Sequence, residues 1–458
     1  GSFGILKLSK YNAGYGTTTN TVFGKGAAIN LTSGGYNTAL GQDALNDLTT
    51  GARNIGIGAF AMDKATGAES DNIAIGYNAL GTSNSDSSLY NVVIGNYAGD
   101  AFGTAAIHSV VAIGYNALTN ATHANVAGTV AVGREAGTSI VDANFTTAIG
   151  QYSLQSLVST HNNTAVGSQA GQNTTGADNT YVGKKAGFGG SGAESFNVGV
   201  GADALHVITT GGYNTAVGGK SLQSNTTGRN VGVGYEALQA NTDGMLNTAI
   251  GDNALYTNVS GNYNVGVGYG ALDSTTVSDN TAVGYLAGDD ATTASGSVFL
   301  GRSAGGTVTT GNQNIAIGSG SMDGAATTGD NNIAIGASAG DALTSGNLNI
   351  FMGKNAGGTA TTDANNILIG HDAGSGAWTG SPSYQNTAVG ESAMKGAMNG
   401  ANYNSAFGAY TLYSVTLGDS NVAVGHGTGY SITEGVQNTL VGRNAGDAMS
   451  TTSNTVLI

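Results

Sequence analysis

The sequence predicts an all-β fold, a parallel β-solenoid of about 26 rungs of about 17 residues each, and three observations carry that expectation. A five-residue phrase keeps returning, as NTAVG at 214–218, NVGVG at 230–234 and NTAIG at 247–251. Gly accounts for 78 of the 458 residues and Pro for one, while 40% of the chain is apolar, which excludes both collagen and a Pro-rich disordered tract. Only 9% of the residues are charged, against about 25% in an ordinary soluble domain, so repetition rather than surface charge must organise the molecule.

Taking the last Gly of each phrase as a marker places 25 markers from Gly24 to Gly442, with Ile458 at a twenty-sixth marker position. Thirteen of the 25 intervals are seventeen residues and the others run from sixteen to twenty. The expected organisation is an incomplete leading rung or junction over 1–19 and one repeat domain over 20–458.

The phrase reads as a strand. The residue before the marker is large and apolar in all 26 copies, and this face is expected to fill the core, as at Val217, Ile250, Ile317 and Ile335. Two residues earlier stands a β-branched side chain in 25 copies, which favours extended backbone. The residue between them is Ala or Gly in 18 copies, so the opposite face is small and mostly apolar. A period of seventeen is too short for a strand and a crossover helix, and suits a coil that stacks parallel strands rung on rung. With both strand faces apolar, a lone coil would expose a hydrophobic stripe, and a homotrimer would bury it.

The remainder of the module fits the same coil. Ala stands three residues after the marker in 20 of 25 cases, giving G-x-x-A and then usually Leu, Met or Gly, which reads as a second tightly packed segment. Stretches such as NTTG at 225–228 are turn formers that accept positive φ. Asn opens the phrase in 22 copies, and stacked Asn side chains can hydrogen-bond from rung to rung as a ladder.

Runs of N-T-A-[VIL]-G-x-x-A-[LG] followed by N-T-T-G closely resemble the repeats of bacteriophage tail-fibre proteins, and the core N-x-A-[VI]-G-x-x-A is similar to the head repeats of YadA-like trimeric adhesins. The resemblance covers about residues 20 to 458. It implies a trimer of left-handed β-rolls whose large residues fill each coil and whose small face meets the neighbouring chains. It further implies a structural fibre shaft or a receptor-binding segment of a virion tail fibre, outside the cell, joined to adjoining fibre segments. A trimeric adhesin at the bacterial surface is the alternative, and an ice-binding solenoid a lesser one, since no regular Thr-x-Thr runs in register. The modules are longer than the usual adhesin-head repeat, and no membrane-anchor barrel, coiled-coil stalk or chaperone domain is visible.

Several chemistries are disfavoured. Lys plus Arg number 14 against 28 Asp plus Glu, a net charge of −14 with no basic cluster, so nucleic acid is not an expected partner. No run of 18 apolar residues exists to insert in a membrane, and the absence of Cys removes disulfides and thiolate metal sites. The six histidines share no metal-ligand spacing, and glycine runs such as 266–270 belong to the repeat rather than to a nucleotide loop. No catalytic residues, enzyme activity or cofactor are expected; a structural cation between rungs, near Asp289-Asp290 or Asp100, Asp341 and Asp447, stays open. Tyr77, Tyr115, Tyr235, Tyr269 and Tyr285 each follow a marker and read as rung-to-rung packing at a corner.

A receptor, whether a host-surface glycan or a protein, is expected where the repeat is broken. The longest module, between Gly370 and Gly390, holds the single Trp and the single Pro of the chain. It offers Trp378, Tyr384, His371 and Asp372 as a candidate contact loop. The nineteen-residue modules between Tyr77 and Gly133 offer Tyr90, His108 and His123 in reserve.

Overall fold

A computed structural model describes residues 19–85, 87–189, 192, 194–378 and 380–458, so the junction expected over 1–19 lies, except for its last residue, outside the described residues. The chain divides into two compact units, Gly1–Arg229 and Asn230–Ile458, both built from the same rung. The first runs from strand β1 (Thr21–Phe23) to β12 (Thr215–Val217), the second from β13 (Val231–Val233) to β26 (Val456–Leu457). Among the described residues there is no α-helix, and one short 3-10 turn covers Ala124–Val126. The fold is thus an all-β parallel solenoid, as the repeat predicts.

Neighbouring strands pair parallel and in phase. In the first unit Thr38, Ala39 and Leu40 lie opposite Ile55, Gly56 and Ile57, and in the second Thr248, Ala249 and Ile250 lie opposite Val265, Gly266 and Val267. The last rung corrects the expected phase. Val456 pairs with Thr439 and Leu457 with Leu440, so Ile458 stands one place before the marker position, and Thr455 rather than Asn454 takes the Asn place.

The two strand faces are the reverse of the expectation. The small middle residue points inward, as with Ala39, Ala216, Ala249 and Ala334, all fully buried. The large residue before the marker points outward: Val217 is 38% and Ile250 42% exposed, and Ile317 and Ile335 are partly exposed. None of these four is a core residue of its own chain. The cause is the narrowness of the coil. A Cβ added at Gly266 would lie 2.9 Å from the Ala271 carbonyl oxygen, and one at Gly56 would lie 2.9 Å from Leu45 Cγ. Beside a corner that carries Leu or Met a branched side chain has no room there, and the pleat sends both neighbours of the middle residue to the other face.

The core is filled instead from the segment after the marker. Ala44, Ala79, Ala237 and Ala254 are fully buried, as G-x-x-A predicts, and Leu45, Met62, Leu205 and Leu255 follow them inward. Where the middle strand residue is large, that next position is Gly. Phe299 lies between Gly288 and Gly305, and Phe351 between Gly340 and Gly357; a Cβ on Gly288 or Gly305 would come within 2.4 or 2.1 Å of the Phe299 ring. The rung conserves volume by trading one side chain against the other.

Each marker is held by the next. Gly251 has φ +137°, and a Cβ there would lie 2.4 Å from the Gly268 carbonyl oxygen, so the rungs approach closely only through glycine. The Asn residues form the ladder foreseen from their period. In the first unit Asn37 Oδ1 accepts the Asn54 N–H at 2.9 Å, and Asn54 Oδ1 accepts the Asn72 N–H at 3.1 Å. In the second, Asn314, Asn332, Asn349, Asn366 and Asn386 continue the same bond, all fully buried. Nδ2 of each turns to a carbonyl of the following turn, for instance Asn332 to Gly346 at 2.9 Å.

Candidate functional site

Among the described residues of the long module between Gly370 and Gly390, the Trp does not protrude. Trp378 is 4% exposed, its ring packed near Gly374, and its backbone N–H donates to Thr359 Oγ1 at 3.4 Å. The sequence reading of Trp378 as a surface contact is corrected: in a coil built of small residues, a large apolar ring is drawn into the core column. His371 is exposed and its Nε2 lies 3.8 Å from Asp372 Oδ1. Asp372 accepts from Lys395 Nζ at 2.8 Å and from Asn355 Nδ2 at 3.0 Å, and the Lys395 hydrogen bond is the main cause of its lowered pKa. Tyr384 is 41% exposed, with its backbone N–H donating to Asn402 Oδ1 at 2.8 Å and its carbonyl accepting from Tyr403. The module brings His371 and Asp372 together; Trp378 and Tyr384 each make separate contacts.

The reserve residues are likewise split. Tyr90 is 62% exposed in the left-handed region, and His108 accepts the N–H of the adjacent Leu89 through Nδ1 at 3.2 Å. His123 is exposed, with Nδ1 3.9 Å from Asp142 Oδ2. Of the tyrosines after markers, Tyr269 and Tyr285 adjoin and stack at 5.4 Å as expected, while Tyr77 and Tyr115 meet edge-on the intervening Tyr97, which stands two places after its marker.

Carboxylates collect in the column five residues after the marker, where Asp273, Asp289, Asp323 and Asp341 stand. Burial raises the pKa of all four; for Asp289 the charges of Asp273, Asp290 and Asp323 add to it and bring it to about 6. Among the described residues no group of three or more His, Asp or Glu side chains is placed to hold a metal ion. Glu194 is a different case, fully buried inside the first unit near Tyr181. Burial pushes its pKa up to about 7; Thr174 and nearby backbone amides pull it partway back without reaching hydrogen-bond geometry. The buried Tyr181 phenol is raised as well, by burial first and by Glu194 second.

An aromatic cleft that the sequence reading did not single out lies in the second unit. Tyr410, Gly427 and Asn444 occupy the second place after successive markers, and Tyr413, Tyr430 and Asp447 the fifth. Gly427 contributes no side chain, and a cleft of about 530 Å³ opens beside it, lined by Tyr410, His426, Tyr430, Ser431, Asn444 and Asp447. Tyr413 stacks on Tyr430 at 4.7 Å with an interplanar angle of 3°, and Tyr410 meets His426 edge-on at 5.7 Å. The signal was present in the sequence, since Tyr413 and Tyr430 are one seventeen-residue period apart, but it takes the coil to bring the two columns side by side. A second groove, of about 390 Å³, is mainly polar and includes Asp341, Asn355 and Asp372.

No helix among the described residues is long and apolar enough to cross a membrane. No protein-family model matches the chain, and no curated protein matches it.

Proposed function

We propose that the chain is a segment of a homotrimeric fibre of the bacteriophage tail-fibre type, lying outside the cell and serving attachment to a host surface, with its coils wound left-handed as the resemblance of the repeat implies. One observation carries the assembly half of this reading: on the outward strand face of each unit the place before the marker always holds a large apolar side chain, beside a β-branched residue that is aliphatic in some rungs and Thr in others, and it is left partly or fully exposed. In the first unit Ile55, Ile57, Ile73 and Ile75 stand on adjacent rungs, and in the second Ile315, Ile317, Ile333 and Ile335 do. Leu40, Ile250 and Leu300 are 44%, 42% and 45% exposed. Monomeric soluble proteins seldom leave contiguous apolar patches beyond about 300–600 Å² in water, and a row of aliphatic rungs asks for a partner with the same repeat. A closed ring of identical chains supplies one at every rung, and adjoining fibre segments would continue it. The faces exchange roles relative to the sequence expectation: the large residues meet the neighbouring chains and the small ones line each coil.

The attachment half rests on the resemblance and is tested by retention of fluorescently labelled protein on a panel of bacterial strains. Retention on at least one strain, lost after heat dissociation, supports it; equal, background retention on every strain contradicts it.

A further inference from the structure

We propose that the cleft beside Gly427 binds a neutral sugar ring, one pyranose of an oligosaccharide; the inference rests on the reading of the protein as an attachment fibre and gives it a site. The cleft is a built feature. In the column formed by Tyr410, Gly427 and Asn444 the glycine omits a side chain between two that are present, which leaves a notch one rung high. Its floor needs nothing from a ligand, because the Gly427 N–H donates to the Ala409 carbonyl and the Asn444 N–H to the His426 carbonyl, both at 2.9 Å.

The walls have the two chemistries that a pyranose requires. Its apolar C–H faces need flat rings held still, and two tyrosines supply them. Tyr430 is backed face to face by Tyr413, and the Tyr410 hydroxyl donates to Glu391 Oε1 at 3.1 Å, which fixes that ring at the rim. Its hydroxyls need a mixture of donors and acceptors, which Ser431, Asn444, His426 and Asp447 provide. The volume, about 530 Å³, falls within the range of about 300–1,000 Å³ typical of small-ligand sites. Charge narrows the class. The lining includes the carboxylate of Asp447 and no Lys or Arg, in a chain of net charge −14, so phosphate, nucleotide and acidic-sugar ligands meet repulsion rather than a counter-charge.

Saturation-transfer NMR with chitotriose and maltotriose as neutral probes and sialyllactose as the acidic control tests the site on the whole chain. The expected result is saturation of ring C–H protons in at least one neutral trisaccharide and none in sialyllactose. Tyr430→Ala and Gly427→Asn should each weaken the neutral ligand about tenfold or more. Gly427→Asn fills the notch at little cost to the fold, since Asn tolerates the φ of +64° found there and the nearest atom to a new Cβ is the mobile Asn444 Oδ1. Melting and native mass of both variants should match the parent. No transfer to either neutral probe, stronger binding of sialyllactose, or unchanged binding in both variants overturns the site. If that happens while cells still retain the protein, the cleft is wrong and the attachment reading stands; if sugars bind as stated and cells do not retain the protein, the site stands and the attachment reading fails.

Discussion

Asn332 shows how a nearly uncharged chain is held in register. Its Oδ1 accepts both the backbone N–H and the Nδ2 of Asn349, each at 3.0 Å, while its Nδ2 donates to Gly346 and to Asn314. A buried amide so used leaves neither its oxygen nor its nitrogen without a partner, and the rungs that open on Asn repeat the arrangement, whereas Val110, Thr129, Thr146 and Ser297 interrupt it. Asn332→Ala should therefore cost about 2–5 kcal/mol in chemical denaturation, by stranding a buried N–H and a carbonyl at once, whereas Thr328→Ala at an exposed turn should stay within about 0.5 kcal/mol. Glu194 carries the opposite sign. Its folded-state pKa lies above the unfolded value, so folding favours the protonated acid; the associated stability is present in full below about pH 4 and is lost as pH rises through about 7. Melting temperature should fall between about pH 5 and pH 8, and Glu194→Gln should flatten that fall. The ladder could be read from the period of Asn alone, because a residue repeated in phase meets its own copy. The buried acid could not, since nothing near Glu194 in the sequence distinguishes an inward carboxylate from the many that face water.

At the scale of the rung, strand and corner exchange volume. Phe299 is accommodated because both flanking corners are glycine, and Ala249 is followed by a corner that carries Leu255. Gly305→Ala should cost about 2–4 kcal/mol, from a methyl forced against the Phe299 ring and from a φ of +62° that disfavours alanine. Combining it with Phe299→Ala should give a loss smaller than the sum of the two single losses, measured as a double-mutant cycle in thermal or urea unfolding. Strand, spacing and second segment were legible from periodicity. The sense of the strand was not: alternation separates two faces without saying which is inside, and Ile250 and Ala249 are both apolar. What decides it is the alternation of Leu or Met with Gly four places after the marker, a pattern written in the sequence whose meaning depends on knowing that this corner packs against the strand. Tyr430 and Tyr410 escaped notice for a related reason, since neither position is unusual until Gly427 is seen between Tyr410 and Asn444.

For the whole chain, both units present the same problem, a column of large apolar side chains before the markers that the coil does not cover. If copies of the chain cover it, the outward residues Val217, Ile250, Ile317 and Ile335 act in assembly rather than in the core of one chain, and a charge placed among them would weaken association before it weakened the coil. The most direct test is the native mass by light scattering at neutral pH. The account predicts three times the 45.0 kDa chain mass, with no monomer until the protein is denatured; a stable folded species at the mass of one chain would contradict it.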